Sequence, residues 1–258
     1  MRNHEHCFDV KEFEKKIGIT IFQLIALIQK RQLRIALEGT DSSGKATQAK
    51  LLCEKLQKLG FKCKVISFPD YDQPNCALVE NYLAGKFGTD LSPKTVSAFY
   101  AIDRSVKLQR EQEELKEYDI IIYDRYVMSN AIHQGLKYRG EEKVKFLNWV
   151  TQLEYDMLVI PREDLTIFID MPLEFSLLLL KDRSGKEGIQ HDIHENREHL
   201  TKAYENAKFV SQFFGWDTIS CINDASKLDL SSIKTREEIS EEILLLVLSK
   251  LAGKYRKE

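Results

Sequence analysis

The most informative stretch of this sequence is Gly39-Thr40-Asp41-Ser42-Ser43-Gly44-Lys45-Ala46-Thr47. An apolar segment typical of a buried strand precedes it at residues 33–38, and a helical pattern follows it at residues 48–59. A strand, a glycine-bounded loop and a helix N-terminus in this order form a cradle for phosphate oxygens, because backbone N–H groups approach the anion and the lysine adds a full positive charge. The stretch therefore predicts a nucleotide-binding loop.

The stretch departs from the common phosphate-loop pattern at one position. Ser or Thr usually follows the lysine and places a hydroxyl on Mg²⁺, whereas this chain has Ala46 there and Thr47 one residue later. The Thr47 hydroxyl, one position later, projects in a different direction from the helix. It therefore does not clearly replace the missing magnesium ligand. The alternative interpretation is a glycine- and serine-rich turn that binds no ligand.

Composition limits the class of protein. The chain has 258 residues, of which 43% are hydrophobic, and this suits one large α/β domain or a domain with a short extension. A net charge of -2 disfavours nucleic-acid binding. The five cysteines form no CxxC pair, which predicts free thiols and a cytoplasmic location. No secretory signal is visible and no apolar run is long enough to cross a bilayer, so we expect no membrane association.

Short apolar strands alternate with helices from residue 33 onward. This pattern predicts an α/β fold of three layers, in which a five-stranded parallel sheet is flanked by helices. The predicted strands are Leu33–Glu38, Lys64–Phe68, Ile120–Tyr123, Thr166–Asp170 and Thr218–Ile222. The predicted helices are Lys45–Leu59, Ala77–Ala84, Lys94–Glu117, Met128–Tyr138, Glu141–Met157, Leu173–Lys181, Asp192–Phe214 and Arg236–Leu251. Ligands of such sheets bind at the carboxyl ends of the strands.

The first 32 residues precede this pattern. Two helices are predicted there, Asp9–Lys16 and Thr20–Arg31. The second is apolar on most sides, so it should be buried against the domain or against a second subunit. A two-helix DNA-binding element is the alternative, and the absence of a basic charge excess disfavours it.

An acid and an arginine follow the third predicted strand. Arg125 can bind phosphate through two parallel hydrogen bonds, and Asp124 can hold Mg²⁺ through water or orient an arginine. A purely structural ion pair between them is the alternative, which the neighbouring phosphate loop disfavours.

A second Asp-Arg pair, Asp103-Arg104, lies in a predicted helix. Tyr100 precedes Arg104 by one turn on the same face. A ring and a guanidinium on one face can stack a base and hold a phosphate. A core aromatic residue beside a surface ion pair explains the spacing equally well.

Two further segments follow strand ends. Phe68-Pro69-Asp70-Tyr71 leaves the second strand through a proline-stiffened turn. Residues 181–188 hold two glycines, two lysines and an arginine, which suggests a mobile basic loop able to close over phosphates. A solvated turn fits the same composition.

These segments together resemble the thymidylate kinase family, the nucleoside-monophosphate kinases that phosphorylate dTMP with ATP. The resemblance runs from about Leu33 to Phe214 and includes Glu38–Gln48, Phe68–Tyr71, Phe99–Arg104, Asp124–Asn130 and the basic loop from Arg183. It implies the P-loop kinase fold with a mobile lid at about residues 182–192. The chain then divides into a helical extension at residues 1–32 and a kinase domain at residues 33–258.

The resemblance also implies roles for individual residues. Lys45 and the backbone of the loop residues Gly39, Thr40, Asp41, Ser42, Ser43, Gly44, Ala46 and Thr47 would hold the ATP phosphates. Asp41, Arg125 and Arg183 would assist Lys45 in catalysis, and Asp124 would hold Mg²⁺, directly or through water. The dTMP-binding residues would be Asp41, Phe68, Tyr71, Tyr100, Arg104, Arg125, Ser129, Asn130 and His133.

Some of these roles are specific. Tyr100 would take the place of a thymine-stacking phenylalanine, and the Asn130 amide would pair with the edge of the base. His133 would lie near the 2′ position of the sugar, and Arg104 would grip the monophosphate. Asp70 stands where many members have an arginine, which weakens the positive field at the acceptor phosphate.

The resemblance therefore implies phosphorylation of dTMP to dTDP, for dTTP biosynthesis, by a cytoplasmic homodimer that uses ATP and Mg²⁺. Ser42 is not the catalytic arginine that some members carry in the loop, so Arg183 in the lid would supply that charge. Two alternatives remain open. The first is a kinase of the same fold for another deoxynucleotide or nucleoside, and the second is a non-catalytic nucleotide-binding protein.

Overall fold

A five-stranded parallel sheet forms the centre of the computed structural model, which describes residues 9–29, 31–88, 90–179 and 193–255. The strands are β1 Leu33–Glu38, β2 Cys63–Ser67, β3 Ile120–Asp124, β4 Leu165–Asp170 and β5 Asp217–Ser220. Their order across the sheet is β2-β3-β1-β4-β5. The predicted parallel sheet of five strands is confirmed, with strand ends shifted by one or two residues.

The register of the central strands places the site. Leu37 of β1 pairs with Asp124 of β3, and Ser67 of β2 pairs with the same Asp124. The carboxyl ends of β1, β2 and β3 therefore lie side by side at one edge of the sheet. The loops that leave these three strands must share one crevice.

Helices cover both faces of the sheet. They are α1 Val10–Ile17, α2 Ile21–Ile28, α3 Lys45–Lys58, α4 Ala77–Leu83, α5 Pro93–Arg110, α6 Gln112–Leu115, α7 Met128–His133, α8 Gly140–Thr151, α9 at residues 173–179, α10 Ile193–Phe214 and α11 Arg236–Tyr255. Short 3₁₀ helices lie at Pro74–Cys76, Gln134–Lys137 and Leu230–Ser232, and a π-helix lies at Gln152–Met157.

Three helices that the sequence pattern predicts as continuous are interrupted or change helix type in the structure. The segment predicted at 94–117 breaks at Glu111 into α5 and α6. The segment predicted at 128–138 ends in a 3₁₀ helix, and the segment predicted at 141–157 changes to a π-helix at Gln152. Apolar periodicity cannot separate these helix types over a single turn. The predicted lid at about 182–192 lies outside the described residues.

Alternate residues of each strand pack into two separate cores. Leu33, Ile35 and Leu37 join a cluster with α1, α2, α3 and α11. Ala36 faces the other side, where α5, α7, α8 and α10 complete a second cluster. The period of two residues is that of a sheet buried on both faces. The predicted three-layer architecture is confirmed.

The N-terminal helices belong to the first of these clusters. Thr20 caps α2 through a capping box with Gln23. Leu24 and Ile28 of α2 are completely buried, whereas Phe22 is 79% exposed. The apolar face of α2 is therefore buried against its own chain. Among the described residues, no helix has the length and apolar composition needed to cross a membrane.

Replacing Leu24 by alanine should lower the free energy of unfolding by about 2–5 kcal/mol, because the change leaves a cavity in a closed core. The matched change Phe22→Ala on the same helix should alter it by no more than about 0.5 kcal/mol, because Phe22 faces solvent. Urea denaturation of both variants measures the difference. Equal losses in the two variants would mean that α2 does not pack as described.

Candidate active site

The phosphate loop is shaped by its two glycines. A Cβ atom at Gly39 would lie 2.8 Å from Ser43 Oγ and 2.9 Å from the carbonyl oxygen of Ile169, so a larger residue does not fit. Gly44 takes a left-handed conformation with φ of 86° immediately before α3 begins at Lys45. The loop thus turns its backbone toward the carboxyl edge of the sheet and ends at a helix N-terminus, which favours anions.

Lys45 lies beneath the loop. Its Nζ atom donates hydrogen bonds to the carbonyl oxygen of Thr40 at 2.5 Å and to Ser43 Oγ at 3.3 Å. Burial lowers the pKa of Lys45 to about 7, and the positive charge of Arg125 lowers it further. The nearby carboxylates raise the pKa but do not outweigh these two effects. A bound polyphosphate would supply the negative charge that this buried ammonium group lacks.

Glu38, at the end of β1, connects the loop to the turn after β3. It is completely buried, and its carboxylate accepts hydrogen bonds from Tyr126 N at 2.7 Å and Ser129 Oγ at 2.6 Å. Burial raises the pKa of Glu38 to about 7, although these two hydrogen bonds and the charges of Arg125 and Lys45 oppose the shift. The carboxylate therefore fixes the start of α7 relative to the phosphate loop.

Arg125 occupies a strained position in that turn. Its φ is 64°, which is uncommon for a residue other than glycine, and its backbone N–H donates to the carbonyl oxygen of Leu37 at 3.2 Å. One guanidinium nitrogen pairs with Asp41, and Nη1 donates to His133 Nε2 at 2.9 Å. Because a guanidinium has no acceptor, Nε2 accepts and the imidazole carries its proton on Nδ1. Asp41 and His133 thus hold the arginine at the mouth of the crevice.

Asp124 is the last residue of β3 and lies near Lys45 and Arg125. Burial raises its pKa above the usual range, against the charges of Lys45 and Arg125 and a hydrogen bond from Ser67. A cation bound nearby would favour the ionised carboxylate. Among the described residues, no group of three His, Cys, Asp or Glu side chains could hold a metal ion by itself. The Asp124 carboxylate would fit Mg²⁺ bound through water, if phosphate oxygens supplied the other ligands.

A buried polar group joins α5, α7 and the π-helix. The guanidinium of Arg104 donates from Nε and Nη2 to the two carboxylate oxygens of Glu154, both at 2.6 Å. Asn130 Nδ2 donates to the same carboxylate at 2.7 Å and to the carbonyl oxygen of Ser97 at 3.1 Å. Arg104 and Glu154 are at most 1% exposed. Arg104 and Asn130, which are both predicted to bind dTMP, therefore share Glu154 as a buried hydrogen-bond partner.

Asp70 does not stand alone at the exit of β2. Its carboxylate accepts hydrogen bonds from Lys107 at 2.5 Å and from Arg110 at 2.8 Å. Partial burial raises the pKa of Asp70, but these cations and Asn75 outweigh that effect and hold the pKa below its usual range. The negative charge that replaces the family's arginine is thus paired with two positive charges of α5.

A family model described as thymidylate kinase matches residues 37–228, which contain the loop, the end of β3 and the buried Arg104 group. The chain belongs to the thymidylate kinase family.

Individual relatives agree with this assignment. A probable thymidylate kinase of Pyrococcus horikoshii is 30% identical over 229 residues, which cover 85% of this chain and 97% of that protein. Thymidylate kinase of Mycobacterium tuberculosis is 29% identical over 145 residues, covering 55% of this chain and 67% of the relative. The human thymidylate kinase is 26% identical over 167 residues, with 65% and 71% covered.

A solved thymidylate kinase structure from Candida albicans supports the fold. It superposes with a TM-score of 0.62 and covers 86% of this chain and 93% of that chain, at 22% identity. The predicted three-layer P-loop kinase architecture is thereby confirmed for the described residues, and the chain has the fold and family of a phosphotransferase.

The structure brings several of the predicted thymidylate kinase site residues together. Asp41, Arg125 and His133 are in direct contact, and Ser129 joins them through Glu38. Arg104 and Asn130 meet at Glu154.

The base-stacking candidate lies near the same arginines. Burial raises the pKa of Tyr100, and the charged and phenolic groups that act on it include Tyr71, Arg125 and Arg104. Tyr100 therefore lies near Tyr71, Arg104 and Arg125. The roles of these residues in binding stay predictions.

Phe68 lies apart from these residues. The ring of Phe68 is buried, and its centroid lies 6.2 Å from that of Tyr123 of β3 and 6.0 Å from that of Tyr126 in the turn after β3. Tyr71, three residues on, is more than half exposed. Arg183 lies outside the described residues. Ala46 is exposed in the first turn of α3, and Thr47 is half-buried.

Glu38 and Glu154 contact predicted site residues but were not themselves predicted. Glu38 had one usable signal, because an acid at the end of an apolar central strand must find donors there. Glu154 had none, since it lies 50 residues beyond its partner Arg104 in an ordinary helical pattern. Lys107 and Arg110 were not predicted either, although their spacing along α5 places them on the same helix face as Asp103.

Binding of ATP to the unliganded wild type at about pH 8.5 should take up close to one proton, because phosphate oxygens raise the pKa of Lys45 from about 7. Below that pKa the lysine already carries its proton, so the uptake should disappear. Isothermal titration calorimetry in two buffers with different ionisation enthalpies measures the proton number.

The matched variant for this measurement is Lys45→Arg, whose guanidinium stays charged at every pH used. It should bind ATP without proton uptake. If wild type and variant show the same proton number at about pH 8.5, Lys45 is not the group that titrates.

Proposed function

We propose that this protein transfers the γ-phosphoryl group of ATP to dTMP and produces ADP and dTDP. The observation that carries the proposal is the position of Arg125, which Asp41 of the phosphate loop and His133 of α7 hold between the two halves of the crevice. An arginine held between two phosphate-binding regions is what transfer between two phosphates requires.

The ATP half consists of the loop and Lys45. The loop residues 39–44 would surround the β- and γ-phosphates with backbone N–H groups. Lys45 donates to the carbonyl oxygen of Thr40, a bond that a phosphate oxygen would replace. Since Ala46 offers no hydroxyl, Mg²⁺ would rest on phosphates, water and Asp124. When bound, the ion supplies neutralisation of the phosphate charge.

The transfer needs no covalent enzyme intermediate. A phosphate oxygen of dTMP attacks the γ-phosphorus, the bond from that phosphorus to the β,γ-bridging oxygen breaks, and ADP leaves with the electron pair. Lys45 and Arg125 would neutralise the charge on the transferred group, and Asp41 would help to arrange the acceptor. Arg183 of the lid is our candidate for a further positive charge in the transition state.

The acceptor half lies over α5 and α7. Tyr100 would stack on the base and Tyr71 would flank it, while Arg104 and Asn130 would contact its edge or the monophosphate. Ser129 and His133 would border the sugar. Because Lys107 and Arg110 neutralise Asp70, the loss of the family's arginine there does not leave a net negative charge facing the acceptor phosphate.

Further proposals concern the state of the protein. We propose a cytoplasmic homodimer, in which residues 1–32 extend a kinase domain at residues 33–258. Exposed apolar side chains support pairing, since Ile102 and Val106 lie one turn apart on α5 and are both more than 40% exposed. Sedimentation velocity measures the association state, and a single-chain mass at every concentration would contradict the dimer.

An ADP-release assay with ATP and Mg²⁺ tests the reaction. The acceptors are dTMP, dUMP, dCMP, dGMP, UMP and thymidine, and we expect the highest kcat/KM with dTMP. A Lys45→Ala preparation, purified identically, controls for contaminating kinases and should show no turnover, because the charge beneath the loop is lost.

The other outcomes identify the alternatives. Highest turnover with thymidine would indicate a nucleoside kinase of the same fold, and highest turnover with another monophosphate would indicate a different acceptor. ATP binding without turnover of any acceptor would indicate a non-catalytic nucleotide-binding protein.

A further inference from the structure

His133 is the last residue of α7 and contacts the Arg125 guanidinium across the turn that follows β3. Arg125 Nη1 lies 2.9 Å from His133 Nε2. Because a guanidinium has no acceptor, this hydrogen bond exists only while Nε2 keeps its lone pair. An imidazole ordinarily has a pKa of about 6.5, so its charge changes within the physiological pH range. The position of Arg125 therefore depends on a group that gains a proton near neutral pH.

Two side chains hold the Arg125 guanidinium in the part of the chain that the structure describes, and His133 is one of them. The other is Asp41, which pairs with Nη2 and is 62% exposed. Water and salt weaken an ion pair with such an exposed partner. The contact with His133 is partly buried, so it is the better protected of the two supports. The backbone does not replace them, because Arg125 has an uncommon φ of 64°.

Protonation of His133 would weaken both supports. An imidazolium carries N–H groups on both ring nitrogens, so Nε2 would face Arg125 Nη1 as donor against donor and as like charge against like charge. Partial burial raises the pKa of Asp41, but the charges of Arg125, His133 and Lys45 outweigh that effect and hold the pKa below its usual range. Positive charge on His133 thus acts on the same carboxylate that pairs with Arg125. The arginine would lose one partner and share the other.

The helices packed against α7 approach it with a neutral amide. Asn206 of α10 donates to the carbonyl oxygens of two α7 residues, at 3.0 and 2.6 Å. Lys143 of α8 donates to Asn206 Oδ1 at 2.7 Å. The 3₁₀ helix that continues from His133 carries Lys137, which is exposed. The carboxylate that acts on His133 therefore comes from the phosphate loop and not from these helices.

Other titratable groups lie at the same edge of the sheet. Burial shifts the pKa values of Glu38 and Lys45 to about 7, and it raises the pKa of Asp124 at the end of β3. Burial also raises the pKa values of the Tyr71 and Tyr100 phenols, which therefore stay neutral near pH 7. Substrate phosphates titrate near neutral pH as well. A test must separate all of these from the imidazole.

We infer that His133 is a positioning residue that holds Arg125 for phosphoryl transfer only while its imidazole is neutral. The inference rests on the proposed function, in which Arg125 neutralises charge on the transferred group. At alkaline pH the hydrogen bond is intact, and the transfer rate reaches its plateau. As the pH falls through the range in which imidazoles titrate, fewer molecules keep an accepting Nε2, and the rate falls with their fraction.

The test is the single-turnover rate of phosphoryl transfer from ATP to dTMP, measured with enzyme in excess from about pH 5 to about pH 9. Single-turnover conditions report the transfer step separately from product release. In the wild type we expect a plateau on the alkaline side and a fall toward acidic pH. Two variants of His133 then show which part of that fall belongs to the imidazole.

His133→Gln provides an amide oxygen that accepts a hydrogen bond at every pH. It should keep most of the wild-type rate on the plateau and lose the imidazole's part of the acidic fall. His133→Ala removes the acceptor, so its plateau rate should be lower by roughly tenfold or more, with the same part of the fall missing. Titration of Glu38, Lys45 or the phosphates would remain in all three proteins. The KM for ATP should not change, because Lys45 and the loop backbone are unaltered.

Gln134→Ala is the matched control. Gln134 is the next residue along the chain, is half-buried and caps the same end of α7. This variant should keep both the wild-type plateau rate and the wild-type fall toward acidic pH. An equal loss of rate in Gln134→Ala and His133→Ala would mean that the helix end is merely loosened, which would contradict the inference.

The outcomes separate this inference from the function on which it rests. No turnover of dTMP by the wild type contradicts the proposed function. Turnover of dTMP with the same acidic fall in wild type and His133→Gln contradicts the inference alone, as does a wild-type plateau rate in His133→Ala. If His133→Gln does not fold, the pH dependence of the residual rate in His133→Ala decides. An unchanged acidic fall there would overturn the inference, and its loss would support it.

Discussion

The carboxylate of Glu38 ties together the two loops on which the site depends. It ends the central strand β1, and its hydrogen bonds to Tyr126 and Ser129 fix the turn after β3 against the phosphate loop. Because β1 and β3 are paired side by side in the sheet, one buried side chain at the end of β1 can reach the turn after β3. Arg125 can then hold its uncommon φ, and Asp41 and His133 can aim its guanidinium across the crevice.

This arrangement carries an electrostatic cost, because two ionisable groups are buried in it. Burial shifts the pKa values of Glu38 and Lys45 toward each other, so that both lie at about 7. Such shifts are typical of functional sites, because burial and neighbouring charges are concentrated there. ATP would bring negative charge close to Lys45 and would therefore raise the pKa of this lysine.

The fold was predictable because local patterns and the sheet agree. The strands of this sheet are short apolar runs between helices, and the phosphate loop lies at a junction where glycines, a lysine and a helix start coincide. The N-terminal capping of α2 by Thr20 likewise matched the start expected from the sequence. The family resemblance rested on the same segments, and the family match confirmed it.

The details of the site were less predictable, because they depend on contacts between distant segments. Asp70 was expected to weaken the acceptor field, yet Lys107 and Arg110 of α5 neutralise it from more than 30 positions away. Glu154 was hidden in a helix whose change to π geometry leaves no periodic signal. Hydrogen-bond polarity, as at Asn130, follows from which acceptors tertiary packing places nearby, and sequence spacing does not contain that information.

A crystal structure with dTMP and a non-hydrolysable ATP analogue tests the central claim most directly. The account predicts the triphosphate over residues 39–45, with Lys45 released from the Thr40 carbonyl, and dTMP on the far side of Arg125 with its base against Tyr100. A nucleotide bound away from the phosphate loop, or a dTMP whose phosphate points away from Arg125, would contradict it.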